Sequence, residues 1–151
     1  MKLQVAWIQA RPGKDKSSAI HSLTNEYVAR IARYQLLTAH ELGSEDALLK
    51  LCAKSGSRST PLLILLDPRG KQMSSEELSQ WLSAHMDRGT QSLLFAVGGA
   101  DGFSDVVRKT ATQQISLGKM TLPHELARVV LLEQIYRAFT ILKGHPYHTG
   151  H

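Results

Sequence analysis

The stretch "LLFAVGGADGFSD" (residues 93–105) holds the parts of one structural unit in order. Leu93 to Val97 run without a polar break, which suits a strand covered on both faces. Gly98 and Gly99 follow, then Gly102. Ser104 carries the kind of side chain that caps a helix start by accepting a hydrogen bond from a first-turn amide. Beyond it, Phe103, Val106, Val107, Thr110 and Ala111 fit one side of a helix. A strand passing through glycines into a helix is the βα half of an α/β layer fold. The glycines have two readings: a sharp structural turn, or a place where a ligand comes up against bare backbone. "GGADG" is neither GxGxxG nor a Walker loop, no lysine follows to hold a phosphate, and Asp101 would repel one. The residues alone leave both readings open.

The same alternation extends in both directions. "LQVAWI" (3–8) predicts a first strand, followed by a loop containing Pro12 and Gly13. Ile20, Leu23, Tyr27, Val28 and Ile31 then recur at helical spacing. "YQLLTA" (34–39) predicts a second strand, and "SEDALLKLCAK" (44–54) a short helix with Leu48, Leu51 and Cys52 on one face. After a polar loop (55–61) comes "LLILL" (62–66), another fully apolar strand, with "DPRGK" as the turn that ends it. Ser74 and Glu77 stand in capping-box spacing at the start of a helix whose buried face is Leu78, Trp81, Leu82 and His85. "ISL" (115–117) is a very short strand. A long helix over 122–143 closes the chain, with Pro123 suited to its first position and Gly144 to its stop. These elements predict one α/β domain over residues 1–151, with a mostly parallel sheet and helices on both faces.

Composition narrows the class. The chain has 151 residues, 42% of them hydrophobic and 21% charged, which suits a soluble globular domain with a sizeable core. No apolar run is long enough to span a bilayer, and the N-terminus reads as a strand rather than a leader because Gln4 and Gln9 break it. The single cysteine, Cys52, forms no internal disulfide and suits the reducing cytoplasm. Eighteen Lys and Arg against thirteen Asp and Glu give a formal charge of +5, which tilts partners modestly toward polyanions. The last helix is apolar around most of its girth, through Leu126, Val129–Leu132, Ile135, Tyr136, Phe139, Ile141 and Leu142. Such a helix needs cover from two directions. A partner subunit and burial within its own chain both meet that need.

In open parallel sheets, ligands bind beyond the carboxyl ends of the strands. Three ends should converge: Leu66 with "DPRG", the glycine turn, and Leu117 with "GKMTLP" (118–123). Met120 and Leu122 would flank an apolar or planar group there while main-chain amides and carbonyls read its polar edge.

Taken in order, "LLDPRGKQMSSEELSQWL", "LLFAVGGADGFSDVV" and "ISLGKMTLPHELARVVLLEQIYRAFTILKGHPYH" resemble the RlmH (YbeA) family of SPOUT-superfamily methyltransferases. The match is strongest from Leu62 to His148, and the N-terminal half, including "EYVARIARY" (26–34), agrees in layout. The resemblance implies a C-terminal trefoil knot, a homodimer, and binding of S-adenosyl-L-methionine in the knotted region. It also implies methyl transfer to N3 of a pseudouridine in 23S rRNA of the assembled ribosome, with no part for membrane or DNA. Carried over by motif, cofactor contacts fall on Leu66, on Gly98 and Gly99, and on Leu117, Gly118, Lys119, Met120, Thr121 and Leu122. Two departures are mild: "QARPGKDKSS" (9–18) does not match the usual first loop, and the tail ends "YHTGH".

Methylation at an imide nitrogen requires its proton to leave, by a nearby base or by positive charge that stabilises the anion. His124, Arg128, Arg137 and His148 are the candidates for this, and Tyr147 joins them as a catalytic-side residue through base stacking. His124 stands at a helix start, where the dipole disfavours a cation; a plain helix-start hydrogen bond is its alternative role. Arg137 has the alternative of pairing with Glu133, one turn earlier. The resemblance places "HPYH" (145–148) near the cofactor on the RNA-facing wall, where Tyr147 would stack on a base and His148 orient the uracil. His145, His148 and His151 recur every third residue, but a terminal tail supplies no frame for a metal. A different class, a noncatalytic RNA- or ribosome-binding module using the same basic surface, is separated from the enzyme by titration with S-adenosylmethionine.

Overall fold

The computed structural model describes residues 1–9, 18–53 and 60–149. The first loop and most of the polar 55–61 loop lie outside them. The elements run β1 (Lys2–Ile8), α1 (Ala19–Ala32), β2 (Leu37–Leu42), α2 (Glu45–Ala53), β3 (Leu62–Gln72), α3 (Ser75–Asp87), β4 (Ser92–Val97), α4 (Asp105–Thr110), β5 (Gln113–Ser116) and α5 (His124–Leu142), then one 3-10 turn, Pro146–His148. All strand pairs are parallel, in the order β2-β1-β4-β3-β5.

Side-chain alternation sorts the core onto two faces. Leu3, Val5, Ile64, Leu93, Phe95 and Val97 meet Ile31, Leu78, Leu82 and the buried side of α5. Ala6, Leu63, Leu65, Leu94 and Ala96 meet Leu48, Cys52, Phe103 and Val107. Helices α1, α3 and α5 therefore cover one face, and α2 and α4 the other. A connection toward the β2 edge (β1 to β2, β3 to β4) carries its helix on the first face. A connection toward the β5 edge (β2 to β3, β4 to β5) carries it on the second. One handedness of crossover throughout requires this sorting. The path reverses at β4, so the loops leaving β3 and β4 depart to opposite faces and part from each other.

Several expectations meet the structure directly. Ser74 accepts a hydrogen bond from the Glu77 amide at 3.0 Å and Glu77 accepts one from the Ser74 amide at 3.4 Å, completing the capping box. Helix α5 is buried within its own chain on most sides, against the sheet and between α1 and α3. Other boundaries move. The second strand begins at Leu37 rather than Tyr34, because the Tyr34 amide bonds back to the Ile31 carbonyl at 2.9 Å and continues the turn of α1. Tyr34 then stacks on Phe139 of α5, 6.2 Å between ring centroids. Val106 is 64% exposed, since α4 has under two turns and only Val107 points inward. Pro123 caps α5 from just outside, its φ of −55° and ψ of 143° being extended rather than helical.

The "DPRGK" segment is the largest departure. Instead of ending the strand, it bulges and the strand resumes: Leu66 and Lys71 both pair with Ile115. Gly70 allows this. A Cβ built there would stand 2.6 Å from backbone atoms of Gln114 and Ile115, closer than any side chain tolerates. The Gly70→Ala variant should lose about 1–3 kcal/mol or more through overpacking against backbone that cannot rotate away. Thermal unfolding should read this as a midpoint lowered by several degrees.

Candidate active site at the carboxyl ends of β3, β4 and β5

Three segments enclose a cleft of about 370 Å³ where the chain path reverses, within the usual range of ligand pockets. The β3 bulge contributes Leu66 through Arg69; the glycine turn contributes Gly98 through Gly102. The post-β5 loop contributes Leu117, Gly118, Met120, Thr121 and Leu122, and α5 closes the site with His124 and Ala127. Every sequence-derived cofactor residue thus lines one cleft except Lys119, which is exposed beside it. Asp67 and Arg108 were missed as a pair. They stand 41 residues apart, and nothing in the local pattern ties an arginine in the middle of α4 to the bulge of β3.

The opening glycines form the sharp structural turn of the first reading. Gly102 has a φ of +72°, a left-handed conformation costly for other residues, and its amide donates to the Gly99 carbonyl at 3.0 Å. A Cβ on Gly98 would press on Gly102 at 3.2–3.3 Å and on the Phe103 ring at 3.3 Å. Gly99 is looser, with its nearest neighbour, the Ile8 carbonyl, at 3.7 Å. The turn is therefore tight for its own sake, and its bare backbone lines the cleft. Across from it, the Ser116 hydroxyl donates to the Gly118 carbonyl at 2.9 Å and accepts from the Gly118 amide at 3.2 Å, pinning the third loop.

Charge in the cleft is organised around Asp67, whose side chain is 2% exposed. It accepts from Arg108 Nε at 2.9 Å and from the Arg69 amide at 2.9 Å. Burial by itself pushes this carboxyl up, but the Arg69 amide and the Arg108 guanidinium outweigh it and hold the group below the usual carboxylate range. Asp67 is thus an anion with both oxygens occupied.

The other candidates separate by position. His124 lines the cleft. Arg128, one turn further along α5, is buried with its guanidinium 4.6 Å over the Trp7 ring. Arg137 lies about 20 Å along the helix from His124, at 1.5 Å per residue. It pairs with Glu133 through Nη2 at 2.7 Å and Nε at 3.0 Å, and contacts His148 Nδ1 at 2.9 Å. The tail docks there. Tyr147 donates to Glu133 Oε1 at 3.0 Å and lies edge-on to Tyr136, while His148 Nε2 meets Glu76 Oε1 at 2.6 Å. Burial, and then the Glu133 carboxylate, raise the Tyr147 phenol, so it remains a donor. Within one chain, "HPYH" does not reach the cleft; His151 lies outside the described residues.

A parallel α/β sheet with a cleft at its reversal point has the arrangement in which open α/β folds bind their ligands. The family described as "Predicted SPOUT methyltransferase" matches residues 1–148. The chain belongs to the SPOUT methyltransferase family. It is 58% identical, over the full length of both chains, to the Ribosomal RNA large subunit methyltransferase H of Koribacter versatilis (strain Ellin345). It is 45% identical to the protein of the same name from Geobacter sp. (strain M21), across 98% of this chain and 99% of that one. Among solved structures, the SpoU methyltransferase AviRb from Streptomyces viridochromogenes, in complex with AdoMet, aligns with a TM-score of 0.54 at 16% identity. That alignment covers 91% of this chain and 57% of AviRb, so the chain spans under two thirds of that protein's length. A probable methylase family protein from Haemophilus influenzae Rd KW20 aligns at 0.55 and 11% identity, over 98% of this chain and 70% of that one. At these identities the two structures speak for the fold alone.

Two outcomes follow from the geometry. Gly98→Val should abolish ligand binding in a folded protein by displacing the glycine turn, whereas Gly99→Ala should leave folding intact; calorimetric titration and circular dichroism read the two apart. Because the Asp67 carboxyl is depressed on folding, its stabilising contribution is full above its ordinary value of 3.8 and is lost as pH falls through the lower folded value. Acid unfolding followed by circular dichroism should therefore show less loss of stability over that window in Asp67→Asn than in the unaltered protein.

Proposed function

We propose that the protein is an S-adenosylmethionine-dependent methyltransferase that modifies N3 of a pseudouridine in large-subunit ribosomal RNA. In this reading the whole chain is one catalytic domain that works in the cytoplasm as a knotted homodimer on the assembled ribosome. The observation that carries it is the cleft: the β3 bulge and the loops that follow β4 and β5, bare of side chains at Gly98, Gly99 and Gly118, in a chain that matches a ribosomal RNA methyltransferase from end to end.

The cleft residues fit the donor. The glycines that line the cleft carry no side chains there and leave main-chain groups to meet the polar edges of a nucleoside. Leu66, Met120 and Leu122 supply apolar walls for a planar base. Among the described residues that line the cleft, both arginines face Asp67, Arg108 at 2.9 Å and Arg69 at 3.6 Å. The donor, when bound, supplies a methyl group on a positively charged sulfur. The chain's own work is then to hold the uracil in line, exclude water and take up the N3 proton. Among the sequence-derived candidates, His124 is the titratable side chain that lines the cleft, so its imidazole nitrogen is the proton acceptor in this proposal. Asp67 is unsuited to that role, because both of its oxygens are already bonded and its carboxyl is held below the ordinary range.

The docked tail acts from the partner protomer in this reading. Tyr147 and His148, docked beside Glu133 and Arg137, lie too far from their own cleft to serve it, yet they form an ordered polar and aromatic surface suited to an RNA stem-loop.

Ribosomal RNA from cells lacking the protein should lose one methylated pseudouridine by mass spectrometry, and an unchanged modification pattern would overturn the assignment. The purified protein should bind S-adenosylmethionine saturably; no binding would favour a noncatalytic ribosome-binding module. His124→Ala should lower turnover by about 10²-fold or more with donor affinity retained, the usual scale for a positioned general base. Tyr147→Ala should lower methyl transfer more than donor binding.

A further inference from the structure

The Asp67–Arg108 pair couples two segments that otherwise touch little at the mouth of the cleft. Asp67 opens the β3 bulge, and Arg108 rises from α4, the helix that the glycine turn feeds. The bulge leaves its strand register between Leu66 and Lys71 and so lacks ladder hydrogen bonds of its own at this point. Its rim is held instead by the Asp67 carboxylate, which bonds the Arg69 amide through one oxygen and Arg108 Nε through the other. Arg108 also reaches Asp105 Oδ1 at 3.4 Å through Nη1. Its Nη2 lies 3.9 Å from where a Cβ on Gly102 would stand. The far side of the same turn is tied down by Glu45 of α2, whose Oε2 accepts from the Ser104 amide at 2.8 Å.

We propose that the Asp67–Arg108 ion pair is a positioning device that sets the separation of the β3 bulge and the glycine turn, and thereby the affinity of the cleft for its nucleoside donor. It rests on the donor assignment made above. Asp67 acts through geometry rather than by touching the sulfonium: its side chain is 2% exposed and both oxygens are engaged. Arg108, 24% exposed, shows the cleft only part of a guanidinium whose charge is already balanced. A neutral pair that fixes shape should not distinguish the positively charged donor from its uncharged thioether product, S-adenosylhomocysteine. An unshielded carboxylate would favour the donor.

The test measures binding of S-adenosylmethionine and S-adenosylhomocysteine by isothermal titration calorimetry, together with KM and kcat, in Asp67→Asn, Arg108→Gln, Arg108→Lys and the double variant Asp67→Asn/Arg108→Gln. Each single variant should weaken both ligands by about tenfold or more, since small displacements of positioning groups have large effects. Arg108→Gln should spare the donor relative to the product because it unshields the Asp67 carboxylate, while the charge-neutral double variant should weaken both in parallel. KM should rise while kcat at saturating donor changes little. Arg108→Lys should recover part of the loss seen in Arg108→Gln, and the double variant should be no worse than the poorer single one. Ser74→Ala, which removes the α3 cap at a residue that does not line the cleft, should lower thermal stability without changing affinity, separating positioning from general loosening. Unchanged affinity in folded Asp67→Asn would overturn the inference, as would loss of the donor alone with the product still bound. If Asp67→Asn does not fold, Arg108→Gln is measured in its place, and unchanged affinity in that variant would overturn the inference equally. Failure of the unaltered protein to bind either ligand would instead sink the donor assignment, and this inference with it.

Discussion

Strand β4 is buried at every position, and the site is what that burial demands at its end. Leu93, Leu94, Phe95 and Val97 are between 0% and 3% exposed, and side chains of this size contribute about 1.5–3 kcal/mol each when removed from water. A strand paired on both edges and covered on both faces cannot end in a splayed loop, because neighbours occupy the surrounding space. Gly98, packed against Gly102 and Phe103, is the turn that space permits. The same central placement, between β1 and β3, makes the chain double back and opens the crevice beside it. Core packing and ligand access therefore share one cause.

The β3 bulge is the complementary element. Parallel pairing with β5 continues on both sides of Asp67–Gly70, so the excursion is clamped at its base and free only at its crest. Gly70 lets its backbone pass against that of β5, and the buried Asp67 carboxylate organises the crest. An anion taken out of water needs partners that restore most of its lost solvation. A main-chain amide and a guanidinium do so here, which turns a potential liability into a fixed loop.

The C-terminal segment has a different character. Glu133, Arg137, Tyr147, His148 and Glu76 form one polar network across α5, α3 and the terminal 3-10 turn. Hydrogen bonds that close on one another order this segment together with the packing of Tyr147 on Tyr136. Arg137 also lies 4.9 Å over the Tyr147 ring. The i,i+4 pairing of Glu133 with Arg137 was legible from spacing, because a helix brings such residues to one face. The closure through Tyr147 and His148 was not, since it depends on the chain folding back after Gly144, which adopts a φ of +69°.

Local periodicity by itself determined the alternation of strands and helices, the burial of β4 and the capping box at Ser74. Each is a near-neighbour property, written in a period of two or about four residues. Its boundaries were less secure at Tyr34, Val106 and Pro123, where one turn of helix more or less costs little. The order of strands in the sheet, the resumption of β3 beyond its bulge, the Asp67–Arg108 pair and the distance of the tail from its own cleft were decided by tertiary structure alone. Those features join residues tens of positions apart, and only the packing of the sheet and its two helical layers brings such residues together.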